Sequence, residues 1–362
     1  MKLDINACRQ RQARLRQRLA ETNLDAALIM NPHHVYYFSG FWRPGRVLTP
    51  VALLVGVEGS TILVTPPPTE ETLAVDSVSL YEADKIATLI DNPYAELFQA
   101  LRPHLTGIQA LGTEGAPHPL PLDISESRDI TPLLLALRRT KDPDEVAMLQ
   151  TGILGCDAAY AWAKAKLEPG ITEVALYAGM LAAATEALGE APTEFGNDFQ
   201  CGALGSLPRP RPVQSGEMAI FDVGVVYRGY SSDLCRTFVV GRQPTESQTT
   251  AYQRVMQALE YVEATVRPGV SCKQIYEEVY AMLNGFQGWT FAHHLGHGIG
   301  LSAHEAPRLN PFYDDTFQIG DVFTAEPGLY GEDLRAGIRI EQDYLVTPEG
   351  LQRLSHFPTD LS

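Results

Sequence analysis

LEPGITEVALYAGM, residues 167–180, is echoed further along the chain by VRPGVSCKQIYEEVY, residues 266–280. Pro169-Gly170 matches Pro268-Gly269, an offset of 99 (268 minus 169). In both copies a long helical pattern stops before Pro-Gly, and Thr172 or Ser271 then stands where a helix N-cap is favoured. Each copy leads on to an apolar, β-rich stretch with turn residues inside it, at 217–240 and at 321–347. A repeat of this kind outranks local propensity as a guide to architecture. It predicts two halves, each made of helices plus an antiparallel hairpin, related by a pseudo-two-fold axis.

Upstream of the first copy, Asp142, Pro143 and Glu145 form a capping-box-like helix start. The helix is expected to run through VAMLQTGILGCDAAYAWAKAKL, residues 146–167. Earlier still, helices and strands alternate. A helix over residues 7–22 leads into the apolar strand LDAALIM (24–30) and then HHVYYFSGFW (33–42). VALLVGV (51–57) and TILVTP (61–66) read as strands separated by Glu58, Gly59 and Ser60. PPPTEETLAV (66–75) and YEADKIATLI (81–90) continue the pattern. The expected organisation is a two-domain α/β chain, with an α/β domain over residues 1–135 and the duplicated domain over 136–362.

Five residues of metal-ligating type fall in the last 150 or so positions: Asp222, Asp233, His297, Glu326 and Glu341. Their surroundings are AIFDVGVVYRGYSSDLCRTFVVG, FAHHLGHGIGLSAHEAPR, DVFTAEPGLY and AGIRIEQDYLV. A charge in so apolar a run is costly to bury unless it is paired or holds a cation. If Arg228-Gly229 forms a two-residue hairpin loop, Asp222 pairs with position 235, and position 233 shares that face. Glu326 and Glu341 differ by an odd number of residues, as same-face positions across an antiparallel hairpin must. Four carboxylates brought together cannot all ionise without cations between them. Ion pairs to Arg236, Arg335 or Arg339 would account for two of them at most. Four carboxylates and one imidazole suit divalent cations of hard or borderline character.

His293 and His297 have the i, i+4 spacing of helical zinc ligands, but Gly296, Gly298 and Gly300 disfavour a helix there. GHGIG is expected to be extended and to carry one histidine ligand, His297. Four of the nine histidines lie between 293 and 304, which singles out His293 and His304 beside the cluster. His294 breaks the alternation.

The bulk composition sets limits. A net charge of −16, from 28 basic and 44 acidic residues, argues against general nucleic-acid binding. No stretch approaches a membrane span, and the N-terminus has no apolar core of a secretory signal. The five cysteines, Cys8, Cys156, Cys201, Cys235 and Cys272, form no CxxC pair. They read as thiols in a reducing compartment, so a cytoplasmic location is expected.

In this order, the DxG…YSSD…RTFVVG, HHLGHGIGLSAHEAPR, TAEPGLY and RIE…LVT series resembles the pita-bread metallopeptidases of the prolidase, aminopeptidase P and creatinase group. LDAALIMNPHHVYYFSGF (24–41) is similar to the N-terminal domain of prolidases and creatinase. The resemblance implies a creatinase-like N-terminal domain and a pita-bread catalytic domain acting as a dinuclear-metal hydrolase, most of all of Xaa-Pro dipeptides. Longer Xaa-Pro peptides or a small non-peptide amide are alternative substrates, and a non-enzymatic binding protein is disfavoured because all five ligands are present. By the resemblance, Asp222 chelates one ion, His297 and Glu326 the other, and Asp233 and Glu341 bridge. Manganese is the expected metal, with cobalt, zinc or iron also compatible. Glu326 is similar to the family's proton-accepting carboxylate. His304 and His293 would hydrogen-bond the tetrahedral intermediate or the departing nitrogen. Arg308 stands where prolidases use an arginine for the substrate carboxylate. A homodimer is also implied.

Three positions depart from the family pattern. CGALGSLPR (201–209) places Arg209 where a histidine is usual, and an arginine there would bind an acidic group on the substrate. Cys235 replaces a threonine, either as a packed small residue or as a thiol close to the metals. Gln342 replaces an aspartate after Glu341, removing a charge that would tune that ligand.

Overall fold

The structure, a computed structural model, describes residues 1–43, 49–67, 72–82, 92, 94–115 and 124–362. The expected elements at 68–71 and 83–91 lie outside the described residues. The chain divides into two compact units, Met1–Arg138 and Arg139–Ser362. No helix among the described residues is long and apolar enough to cross a membrane.

The first unit contains α1 (Ile5–Glu21), β1 (Ala26–Ile29), α2 (Pro32–Ser39), β2 (Ala52–Gly56), β3 (Thr61–Thr65), β4 (Ser77–Leu80), α3 (Tyr94–Leu101), β5 (Ala110–Thr113) and β6 (Glu126–Asp129). Their six-stranded sheet runs β4-β3-β2-β1-β5-β6, with β1, β2 and β3 antiparallel and the outer pairs parallel. α1 starts at Asp4, whose side chain accepts from the Ala7 N–H. Leu15 and Leu19 face inward, and Arg11 and Gln12 are equally buried. Gln12 Nε2 donates to the carbonyls of Phe38 and Ala74, and the Arg11 guanidinium lies over the Tyr37 ring. Polar partners inside the unit therefore draw in residues that charge alone would assign to the surface.

α4 (Thr131–Arg139) leads to the second unit. Its elements are α5 (Pro143–Lys166), α6 (Glu173–Leu188), β7 (Glu194–Phe195), β8 (Met218–Asp222), β9 (Val225–Tyr227), β10 (Tyr230–Ser231) and β11 (Cys235–Val239), then α7 (Glu246–Thr265) and α8 (Cys272–Leu283). The remaining strands are β12 (Gly296–Gly298), β13 (Glu305–Leu309), β14 (Val322–Ala325), β15 (Gly328–Gly331), β16 (Ala336–Arg339), β17 (Gln342–Thr347) and β18 (Gly350–Arg353). Asp142 and Glu145 form the capping box of α5.

The duplication is visible in backbone detail. Thr172 caps α6 through the Ala175 N–H, and Ser271 caps α8 through the Gln274 N–H. Gly170 donates to Val213 O and receives the chain back through Val213 N to Ile171 O. Gly269 donates to Phe317 O, and Phe317 N returns to Val270 O. Each Pro-Gly turn is thus stitched to the segment that follows its own helix.

Two hairpins carry the candidate site. In the first, Arg228 (φ 48°) and Gly229 (φ 83°) occupy the left-handed positions of a two-residue loop, which sets Tyr227 opposite Tyr230 and Asp222 opposite Cys235. In the second, β14 pairs with β17 and β15 with β16. Between them the ladder is interrupted at Glu326-Pro327 and Ile340-Glu341. Proline has no N–H to continue it. The Glu326 N–H donates instead to Leu295 O at 2.8 Å, and the Glu341 N–H to Cys235 O at 3.0 Å. The break therefore ties the second hairpin to the first and to β12. Gly296 permits that approach, since a Cβ there would lie 1.9 Å from Thr324 O.

Candidate metal centre

The hairpin registers bring the five expected residues into one place. Asp222, Asp233 and Glu341 each offer a ligand atom within 4.8 Å of the others, and so do His297, Glu326 and Glu341. Glu341 belongs to both groups. A third group, Asp233, His297 and His304, overlaps them.

All five side chains are buried, and Asp222 Oδ1, Asp233 Oδ1 and Glu341 Oε2 have no hydrogen-bond partner. Buried, unpartnered carboxylate oxygens are expensive unless something cationic meets them. Without a cation, burial and then the Asp222 charge push the Asp233 carboxyl well above the usual range. Burial and Asp222 likewise push Glu326 up to about 8, and burial and Asp233 push Glu341 up. The donor set thus fits divalent cations.

His297 is prepared as a neutral ligand. Burial first, then His304, lowers its pKa to about 3. Its Nδ1 lies 3.1 Å from Gly298 O, so the proton sits on Nδ1 and Nε2 carries the free lone pair. Nε2 points at Glu326 Oε1, 3.6 Å away, and Asp233 Oδ2, 3.8 Å away. His304 stacks on the His297 ring, with centroids 3.7 Å apart, and remains exposed on its outer side.

The other expected residues fall less uniformly. His293 has both ring nitrogens engaged: Nδ1 donates to His294 O at 2.7 Å, and Nε2 accepts from the Tyr330 hydroxyl at 2.8 Å. His294, passed over in the sequence, has a buried Nδ1 without a hydrogen bond, 3.2 Å from Glu326 Oε1. Arg308 lies opposite His297 in the β12–β13 register, so both side chains leave the same face. Its guanidinium rests over the Tyr313 ring and 3.5 Å from Asp315, with the side chain 38% exposed.

Arg209 is engaged on Glu173, Nε to Oε2 at 2.9 Å and a terminal nitrogen to Oε1 at 2.6 Å, with its side chain 38% exposed. Glu173, at the first position of α6, is fully buried and also accepts the Cys201 and Arg209 N–H groups. Arg209 thus clamps the 201–209 segment to a helix N-terminus, where a carboxylate is favoured. Next to Gln342, buried Asp343 accepts the Asp233 N–H on Oδ2 at 3.3 Å, and burial pushes its carboxyl well above the ordinary range. Gln342 itself receives Arg236 and Ser355. Cys235 packs with Ile220 and Tyr330, and burial raises its thiol pKa.

Arg339 is the cation of the site. Of the three arginines considered for ion pairing, only Arg339 meets a cluster carboxylate, placing a terminal nitrogen 2.9 Å from Asp222 Oδ2. Arg236 donates to Cys235 O, Glu341 O and neighbouring carbonyls, and Arg335 to Ser215 O. Arg339 also meets Asp198 Oδ2 and reaches the Tyr330 hydroxyl. The period-2 spacing of Arg339 and Glu341 could have placed Arg339 on the ligand face. No comparable signal marks Asp198, which lies in an irregular segment.

Comparison with known proteins gives the family and the fold. The profile of metallopeptidase family M24 matches residues 148–348, and that of the creatinase/prolidase N-terminal domain matches residues 11–127. The Xaa-Pro dipeptidase of Pyrococcus furiosus is 27% identical over 369 residues, covering 98% of this chain and 99% of that protein. The prolidase structure from Pyrococcus horikoshii superposes with a TM-score of 0.80 at 24% identity, covering 98% of this chain and all of that one. Escherichia coli aminopeptidase P, solved with the inhibitor Pro-Leu, gives 0.80 at 21% identity, covering 99% and 97%. At those identities the two structures establish the shared fold.

Proposed function

The chain belongs to metallopeptidase family M24 and is a metal-dependent hydrolase, and from that premise we propose that it cleaves Xaa-Pro dipeptides at the bond to proline. The observation that carries this reading is the pair of ligand groups sharing Glu341. Asp222, Asp233 and Glu341 would hold one divalent ion, and His297, Glu326 and Glu341 the other, with Asp233 reaching both. Two such ions would polarise the scissile carbonyl and lower the pKa of water at the site. Manganese best suits this oxygen-rich set with a single imidazole.

The chain's own groups do the rest. Glu326 is the proton-accepting carboxylate, with the His294 ring beside it. His304, exposed above His297, hydrogen-bonds the developing negative charge or the departing nitrogen. His293 acts at the Tyr330 hydroxyl, which it holds through Nε2. Arg308 anchors the free carboxylate of the C-terminal proline, and its exposure on the His297 face supports that role. The Pyrococcus relative, an Xaa-Pro dipeptidase over nearly its full length, supports the substrate. The resemblance supports a homodimer, and five buried cysteines without a disulfide support a cytoplasmic location.

The test compares Ala-Pro with Ala-Pro-Ala on manganese-loaded protein. Release of alanine from the dipeptide alone is expected. Cleavage of the tripeptide would move the assignment to aminopeptidase P-like action, and cleavage of neither to a small non-peptide amide.

A further inference from the structure

We propose that Asp198 is a specificity residue that binds an ammonium group on the residue N-terminal to the scissile bond. The proposal rests on the dipeptidase reading above. Asp198 and Asp222 form an isolated antiparallel bridge, with Asp222 N donating to Asp198 O at 3.0 Å. Residues opposed in such a bridge project their side chains from the same face. Asp198 therefore borders the metal centre although it lies in neither ligand group.

Both aspartates meet a single guanidinium. Arg339 contacts Asp198 Oδ2 and lies 2.9 Å from Asp222 Oδ2. One positive charge is shared between two carboxylates, with Glu326 also within its field. The three side chains differ in access to water: Asp198 is 20% exposed, Asp222 12% and Arg339 9%. Of the three, Asp198 is the most open to a cation arriving from solvent. The metals would take up the charge of Asp222 and Glu326, whereas Asp198 stays outside the ligand set, held by Arg339 and the Ser206 N–H and still partly open to solvent. An ion-pairing group so placed selects charge on a ligand more than it adds fold stability.

Two ammonium groups on the substrate's first residue have this chemistry, the α-amino group and a basic side chain. The experiment separates them. Cleavage of Ala-Pro, Lys-Pro and norleucyl-proline, the last matching lysine without its terminal charge, is measured for wild type and Asp198→Asn, together with metal content. A roughly ten- to hundredfold rise in KM with kcat and metal retained is expected, the size of a lost charge-assisted hydrogen bond. A rise on all three peptides identifies the α-amino group, and a rise confined to Lys-Pro identifies the side chain. Unchanged KM throughout, or a fall in kcat accompanied by lost metal, would overturn the proposal and leave Asp198 as a counter-ion for Arg339. Should Asp198→Asn fail to fold, Asp198→Ser is read in the same way. Calorimetric binding of the three peptides keeps the two readings apart. Binding that depends on Asp198 without turnover discards the dipeptidase and retains this assignment, and turnover indifferent to Asp198 does the reverse.

Discussion

Glu326 and Glu341 face one another across a gap in the second hairpin, and the N–H groups freed by that gap bond to Leu295 and Cys235. The same local break that stops the ladder therefore joins it to the first hairpin. Carboxylates 15 positions apart in sequence (341 minus 326) meet two more from the other half. Thr324 donates its hydroxyl to Glu341 Oε1, which leaves Oε2 turned toward the cluster without a partner.

Asp233→Asn keeps the shape of the side chain and removes a charge from a residue grouped both with Asp222 and Glu341 and with His297 and His304. Metal content should fall below two ions per chain and turnover by at least about a thousandfold, as expected when an essential charged group of a catalytic site is lost. Elemental analysis beside a peptidase assay checks this. A variant with full activity would remove the site assignment.

Stripping the metals should make stability depend on pH in a defined direction. Glu326 is pushed from its ordinary 4.5 up to about 8, and Asp233 and Glu341 are also raised. A carboxyl with a raised folded-state pKa favours folding while protonated, so its contribution is complete below about 4.5 and is lost as pH rises through 8. Metal-free protein should therefore melt at lower temperature at pH 8 than at pH 6, and manganese should abolish most of the difference. Scanning calorimetry on chelator-treated and reloaded samples reads it. A melting temperature independent of pH in the stripped protein would contradict the carboxylate cluster.

Arg209→Ala should act on stability rather than on substrate charge. It leaves buried Glu173 with backbone donors and the longer 3.5 Å contact to Arg211, at a cost of about 1–3 kcal/mol. Denaturant midpoints measure this, and Glu173→Gln in the same chain should recover part of the loss. Equal stability combined with altered preference for acidic substrates would restore the substrate role read from sequence.

Arg308→Ala should raise KM for Ala-Pro by about tenfold or more, since a charge-assisted bidentate pair is lost. Any residual cleavage of Ala-Pro-Ala should change little. Parallel kinetics on the two peptides decide it, and equal losses would remove the carboxylate anchor.

Much of the site follows from counting along the chain. The Arg228-Gly229 loop sets Asp222 against Cys235, and side-chain alternation then places Asp233 on the same face. The Pro-Gly repeat announces the two halves, because the same turn and cap recur before α6 and α8. These features are legible because hairpin register and helix capping depend on residues a few positions apart.

What sequence could not supply are the partners drawn from distant segments. Arg209 reads as an open cation until α6 brings Glu173 beneath it. His294 looks out of phase until the chain turns it toward Glu326, and Asp198 is unmarked until it bridges Asp222. Sequence by itself determined which residues form the two hairpins and which carboxylates each presents. Only the tertiary structure decided which charges are already paired and which still face the site, because pairing depends on side chains tens to more than a hundred positions apart, such as Arg209 with Glu173 and Arg339 with Asp198, brought together by packing that no local periodicity encodes.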